Sequence, residues 1–220
     1  MSNPDIKDLS GCLINHINKF YYVHIPKNAG STIGEIFKFG LPPHFVANDY
    51  IKQYPTYFGW TTIRNSWDRL VSMYYYNKEI PKTHNFEQFV MDFVHPEGKC
   101  SKQGKGCWQH FMGAHGQLYF CICYETNLFC LDFYVNTWCL ESHLKELFSI
   151  LDIDKQKLSD IPRINTTNHD DYRKLYTHDM IEACRIRYQE EINHFGFEFD
   201  DPTRTKEFVG KNLSSIKIGG

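Results

Sequence analysis

The sequence predicts an α/β fold whose binding chemistry lies at the carboxyl ends of its strands. Two segments carry this expectation. In each, a short apolar run stops at a polar loop and then opens an amphipathic stretch. The residues at both junctions are the kind that hold anions.

The first run, Phe20 to Ile25, is rich in β-branched and aromatic residues and reads as a buried strand. Pro26 stops it. Lys27 follows, then a turn of small residues (Asn28, Ala29, Gly30), then Ser31 and Thr32 at the head of a stretch with Ile33, Ile36 and Phe37. Strand, tight loop and helix amino terminus together present unpaired backbone N–H groups and the positive end of a helix dipole, which bind anions. Gly30 lets the backbone approach a ligand closely, and Lys27 adds a full positive charge. The loop is not a Walker A motif, whose lysine follows the second glycine. A plain β–α turn with a surface lysine is the competing reading.

The second segment runs from Phe58 to Tyr76. Gly59 to Ile63 is β-like. Asn65 or Ser66 caps the helix that follows, with Asp68 in its first turn, where negative charge is favourable. Leu70, Val71, Tyr74 and Tyr75 supply its apolar face. Arg64 stands at the strand's carboxyl end, where open α/β sheets bind ligands. A guanidinium there grips phosphate through two parallel hydrogen bonds. Ser72, two turns into the helix, adds a hydroxyl. An ion pair between Arg64 and Asp68 or another acid is the alternative for that arginine.

The remaining elements follow from pattern. Further strands are expected near 131–135 and, less regularly, 118–124; helices are expected at 31–39, 66–78, 86–95, 138–151 and 178–195. The 86–95 piece puts Phe86, Phe89, Val90, Phe93 and Val94 on one face, which suits a core. The last helix starts after Thr177 as a cap and ends at Gly196. Residues 96–106 read as a surface loop. Residues 1–199 read as one catalytic domain and 200–220 as a loose polar tail.

Composition bounds the function classes. The chain has 220 residues, enough for one core and short for two. Its hydrophobic content of 42% and aromatic content of 16% argue against general disorder. A formal net charge of −2 offers no basic field for nucleic acid, so no such partner is expected. Residues 1–19 carry Asp5, Lys7 and Asp8 and no apolar core, so no signal peptide is read there. The longest apolar stretch, Leu118 to Val135, is interrupted by Glu125, Asn127 and Asp132, so no membrane span is expected. The eight cysteines are then expected as reduced thiols. Cys121, Cys123 and Cys130 sit in apolar surroundings as small hydrophobes, and a Cys100–Cys107 disulfide across a polar loop is an open alternative. No Cys-x-x-Cys pair or matching histidine spacing suggests zinc.

Taken together, His24-Ile-Pro-Lys-Asn-Ala-Gly-Ser-Thr32 and Arg64-Asn-Ser-Trp-Asp-Arg-Leu-Val-Ser72 resemble the two cofactor signatures of sulfotransferases that use 3′-phosphoadenosine 5′-phosphosulfate (PAPS). The first is similar to the family's 5′-phosphosulfate loop. The second is similar to its 3′-phosphate motif, R-[ND]-P-x-x-R-x-x-S, with Ser66 in place of proline. The likeness is nearest to the carbohydrate, or Golgi-type, branch and extends weakly to Phe197. It is poor at Asn136-Thr-Trp-Cys-Leu140, where relatives carry an Arg-Phe-Glu-Asn-Leu run. The resemblance implies a P-loop-like three-layer domain with a central, mostly parallel sheet flanked by helices. It implies PAPS as donor and no metal. Golgi relatives carry a membrane anchor; none is read here, so a soluble, cytoplasmic protein is expected.

The resemblance also assigns roles. Lys27 is expected to offset charge growing on the bridging oxygen of the leaving phosphate. Asn28, Ala29, Gly30, Ser31 and Thr32 would hold the 5′-phosphosulfate through amides and hydroxyls, and Arg64 and Ser72 the 3′-phosphate. Positioning and charge stabilisation dominate such transfers. The base is read as His44, which follows Pro42-Pro43 between the motifs at about the spacing of the catalytic histidine in uronosyl sulfotransferases; histidine's ordinary pKa suits the task. Glu35 is the runner-up, His24 reads as structural, and His110, His115 and His169 are acceptor-side alternatives. The acceptor is expected to be a carbohydrate hydroxyl. A small alcohol, lipid headgroup or protein tyrosine remains open, because Trp60, Trp67, Tyr74–Tyr76, Trp108 and Trp138 suit sugars and phenols alike. A catalytically silent nucleotide- or glycan-binding module, and a P-loop kinase, are the rivals from other classes.

Overall fold

A computed structural model describes residues 9, 11–40, 43–95, 116–126, 128–158 and 171–206. The chain runs β1 (Ile14–Asn15), β2 (Phe20–Val23), α1 (Gly30–Ile36), α2 (Ala47–Gln53), β3 (Phe58–Ile63), α3 (Ser66–Tyr76), α4 (Ile80–Thr83) and α5 (Phe86–Phe89). It continues through β4 (Ile122–Cys123), β5 (Leu128–Phe129), β6 (Phe133–Asn136), α6 (Leu140–Ile150), α7 (His178–Arg187) and α8 (Gln189–Phe195).

The main sheet has the order β1-β2-β3-β6. β2 and β3 are parallel, with Phe20 opposite Phe58 and Val23 opposite Thr61. β3 and β6 are parallel, with Trp60 opposite Phe133, and β1 adds an antiparallel edge. Every residue of β2, β3 and β6 is buried, as both-sided coverage of a parallel sheet requires.

Alternation along the strands sorts the core into two layers. Phe20, Tyr22, Phe58, Trp60, Phe133 and Val135 face Ile33 and Ile36 of α1 and Leu144, Leu147 and Phe148 of α6. Tyr21, Val23, Ile63 and Tyr134 face the other way, into a core closed by α2, α3, α5, α7 and α8. The result is helices, sheet, helices: the expected three-layer α/β domain.

Several boundaries differ from the sequence expectation. β2 ends at Val23, because His24 and Ile25 turn under the following loop. The 118–124 segment is a 3-10 turn over Gln117–Cys121 followed by the two-residue β4, since Gln117 is drawn sideways into the site described below. The 86–95 helix changes to a π turn over Val90–Val94. The 178–195 helix breaks at Tyr188, where buried Tyr188 separates the apolar faces of α7 and α8. Thr177 caps α7 through the Met180 amide, and Gly196 ends α8 with φ 74°, as expected. α2 was not expected. Its seven residues carry no clear 3.6-residue period, and tertiary burial of Ala47 and Tyr50 holds it.

Residues 202–206 pack on the end of β6. Asn136 Nδ2 donates to the Pro202 and Thr203 carbonyls at 3.1 and 3.2 Å, and the Lys206 amide reaches Phe195 O at 2.8 Å. Among the described residues no helix is long and apolar enough to cross a membrane. Cys12, Cys121, Cys123, Cys130, Cys139 and Cys184 are free thiols. Cys100, Cys107, Trp108, His110, His115, the 161–165 segment, His169 and Asp170 lie outside the described residues.

Candidate active site

Because β2 and β3 are parallel neighbours, the two loops leaving their carboxyl ends emerge side by side. This brings Lys27 and Arg64 together at one edge of the sheet, in the crevice where such folds bind ligands.

The Lys27 loop is held from below by Asn28. Asn28 Nδ2 donates to Thr62 O at 2.8 Å and to Gln117 Oε1 at 2.6 Å, and the Thr62 hydroxyl donates to Asn28 O. The Asn28 amide is spent on Ile25 O at 3.3 Å. Asn28 is thus an anchor of the loop, and Ala29 to Thr32 are the members placed at its crest and at the start of α1. Lys27 and Ala29 both take left-handed backbone, φ 68° and 61°, which folds the loop back on itself.

Gly30 also has a packing reason that was not expected. A Cβ built on it would lie 2.0 Å from His24 Nε2. The glycine makes room for the buried imidazole of His24, which is 4% exposed.

Lys27 is half-buried. Its Nζ sits 3.7 Å from the centre of the exposed Tyr76 ring, a cation–π contact. Burial, then the Arg64 charge, pull its pKa down to about 8. Among the described residues no carboxylate pairs with it.

Arg64 makes the ion pair that was its alternative reading. Nε and Nη2 donate to Asp68 Oδ2 and Oδ1 at 2.7 and 2.8 Å, and Nη1 reaches Lys27 O at 3.3 Å. Asp68 is held a third way by Trp138 Nε1 at 2.7 Å. Asp68 is therefore a buried hub as well as a first-turn acid. The α3 cap is Asn65, whose side chain accepts from the Trp67 amide. Ser72 is buried two turns along α3.

His44 packs against His24 with the rings tilted by 44° and their centres 4.2 Å apart, and its Nδ1 lies 3.0 Å from the His24 carbonyl. A carbonyl only accepts, so Nδ1 carries the proton and Nε2 presents its lone pair. Burial lowers the His44 pKa, opposed by that hydrogen bond and aided by the Arg69 charge. The imidazole is neutral near pH 7, as a base must be. Glu35, the runner-up, is exposed on α1 and paired with Lys38.

Arg69 stands in the second motif without an assigned role, and Gln117 and Glu191 escaped the sequence reading. Arg69 is fully buried and its Nε donates to Pro26 O at 3.1 Å, bracing the start of the Lys27 loop from α3. Gln117 and Glu191 are buried side chains bonded to both loops and to Ser66. Of the aromatics considered for an acceptor, Trp60, Trp67 and Tyr74 are core residues, whereas Tyr75, Tyr76 and Trp138 are exposed.

No protein-family model and no curated protein sequence matches the chain. A solved structure does: mouse sulfotransferase SULT7A1 complexed with PAP, at 15% identity, a TM-score of 0.50, and coverage of 88% of this chain and 91% of that one. This likeness shows the fold: the chain has the P-loop-like α/β architecture of that sulfotransferase.

Proposed function

We propose that this protein is a PAPS-dependent sulfotransferase acting on a hydroxyl acceptor. The observation that carries it is the placement of Lys27 and Arg64 side by side at the ends of adjacent parallel strands, with Lys27 left without a carboxylate partner among the described residues. Burial and the Arg64 charge depress the Lys27 pKa, and no described carboxylate answers Lys27, so the site favours an anion. The chemistry of this donor set fits a nucleotide with phosphates at both ends. The fold shared with a sulfotransferase whose structure holds PAP supports the same reading.

The donor supplies a sulfuryl group activated by a phosphate leaving group. Lys27 offsets the charge that grows on the bridging oxygen as the bond to sulfur breaks. Ala29 to Thr32 orient the 5′ end through the loop crest and the start of α1. The outward N–H groups of Arg64, with Ser72, take the 3′-phosphate. His44 Nε2 accepts the acceptor's hydroxyl proton while Nδ1 stays anchored on His24 O. We read the acceptor as a carbohydrate, on the motif resemblance and on the exposed Tyr76 ring beside Lys27, an aromatic surface that suits sugar C–H groups.

Calorimetric titration with 3′-phosphoadenosine 5′-phosphate against adenosine 5′-phosphate tests the donor site. Tight binding that needs both the 3′-phosphate and Arg64 is expected; equal or absent binding of the two nucleotides overturns the reading. With labelled PAPS and a panel of sugar, phenol and alcohol acceptors, Lys27→Ala should abolish transfer. His44→Ala should slow transfer while sparing nucleotide binding, and wild-type rates in that variant would remove His44 as the base.

A further inference from the structure

The two anion-handling segments are tied together by one buried side chain that belongs to neither motif. We propose that Gln117 is a positioning residue for the donor site: its carboxamide sets the distance between the Lys27 loop and Arg64, and Glu191 with Ser66 fixes that carboxamide in place. The proposal rests on the donor reading above.

Every hydrogen-bonding capacity of the Gln117 side chain is used. Oε1 accepts from Asn28 Nδ2 at 2.6 Å and from the Arg64 amide at 2.8 Å. Nε2 donates to Arg64 O at 2.7 Å and to Glu191 Oε1 at 3.2 Å. A carboxamide has two acceptor lone pairs and two N–H donors, so none is left over. Arg64 stands just past the end of β3, and Gln117 takes both of its backbone groups where the strand ladder stops. The same oxygen holds Asn28, the anchor of the Lys27 loop. One rigid group thus spans the two halves of the site.

Glu191 determines which way the carboxamide faces. A carboxylate only accepts, so the NH2 end of Gln117 must face it. Glu191 also accepts from the Gln117 backbone N–H and from Ser66 Oγ at 2.5 Å. Gln117, Ser66 and Glu191 are 0%, 2% and 2% exposed, so each bond is made away from water, where an unmatched partner is costly. Gly116 completes the arrangement: a Cβ there would fall 2.4 Å from Glu191 Oε2. Ser66 replaces the proline of the sulfotransferase motif, and proline has no hydroxyl to give Glu191. In this chain the departure at 66 and the carboxylate at 191 form a pair.

A nucleotide with phosphates at both ends reads the span that Gln117 sets; a monophosphate does not. The test compares wild type, Gln117→Leu, Ser66→Ala, Arg64→Ala and Gln117→Leu/Arg64→Ala. Each is titrated with 3′-phosphoadenosine 5′-phosphate and adenosine 5′-phosphate, with circular dichroism confirming the folded state. Gln117→Leu should weaken the bisphosphate about tenfold and the monophosphate much less. The double variant should bind no more weakly than Arg64→Ala alone, because the span that Gln117 sets counts only while the Arg64 guanidinium reaches the second phosphate. Should Gln117→Leu not fold, Ser66→Ala decides: the same selective loss, about threefold, is expected. A folded variant that binds both nucleotides as wild type does, loses both equally, or adds its full loss to that of Arg64→Ala overturns the positioning role alone. A wild type that does not discriminate between the nucleotides overturns the donor reading and this proposal with it.

Discussion

Lys27 should make nucleotide binding depend on pH between about 7 and 9, below the range of an ordinary lysine. Burial and the neighbouring Arg64 guanidinium hold its pKa at about 8, against 10.5 for a free lysine. With that value the ammonium is about nine-tenths charged at pH 7 and about one-tenth charged at pH 9. If a phosphate at the loop needs the charged form, affinity for 3′-phosphoadenosine 5′-phosphate should fall about tenfold between those pH values. The ligand's own second phosphate ionisation, at about pH 6, is about nine-tenths complete at pH 7 and works against the fall only slightly. His44 stays neutral throughout, because its pKa is displaced downward. Stability of the ligand-free protein should move the opposite way. The unfolded chain binds more protons than the folded one between the two lysine values, so this group's contribution rises as pH climbs from about 8 towards 10.5. Calorimetry at constant ionic strength, in buffers of different ionisation enthalpy, reads both the affinity and the proton taken up on binding. Lys27→Arg should flatten the profile, since a guanidinium keeps its charge. A wild-type affinity that is level from pH 7 to 9, or a slope that survives Lys27→Arg, would refute the assignment of Lys27 to the phosphate.

Gly30→Ala places a methyl 2.0 Å from His24 Nε2, in a pocket where the ring is confined by Tyr22 and His44. Urea unfolding should show a loss of about 1–3 kcal/mol, and adding His24→Ala should recover part of it. Leu147→Ala, in the core layer under α6, should cost about 2–5 kcal/mol by the same assay. It should leave the ratio of bisphosphate to monophosphate affinity unchanged. Asp68→Asn removes the carboxylate that orients Arg64, so titration should show tighter inorganic phosphate but poorer selectivity for the 3′-phosphate.

The fold was legible where local pattern and burial agree. The two strand–loop–helix units stand out because β-branched and aromatic runs end at a proline or a polar residue, and their parallel pairing makes neighbours of Lys27 and Arg64. The support of the site was illegible, for a physical reason. Gln117 meets Asn28 across 89 residues of sequence and Arg64 across 53, and Glu191 meets Ser66 across 125. No local period or propensity encodes such pairs, and Glu191 sits in a Gln-Glu-Glu run that reads as a solvated helix face. Gly30 shows the converse. Its necessity was visible, but the group that fills its space, His24, was a choice only tertiary packing makes.

An arginine already paired with a buried aspartate looks ill-suited to bind phosphate, and the geometry argues otherwise. A guanidinium has five N–H donors. Asp68 takes one from Nε and one from Nη2, and Lys27 O takes one from Nη1, which leaves one on each terminal nitrogen for a ligand. Asp68 in turn accepts from Trp138 as well as twice from Arg64, so three of its roughly four acceptor sites are already used. The pair reduces the attraction Arg64 exerts at a distance. In exchange it removes the rotamer freedom that a loose arginine loses on binding. On the proposed donor reading, such a site would favour geometry over charge and discriminate a phosphate fixed at one point on a nucleotide from phosphate in general. The Trp138 segment is where the likeness to sulfotransferase sequences is poorest, yet its indole holds Asp68 and, through it, Arg64. The departure from the motif thus falls on a residue that braces the site.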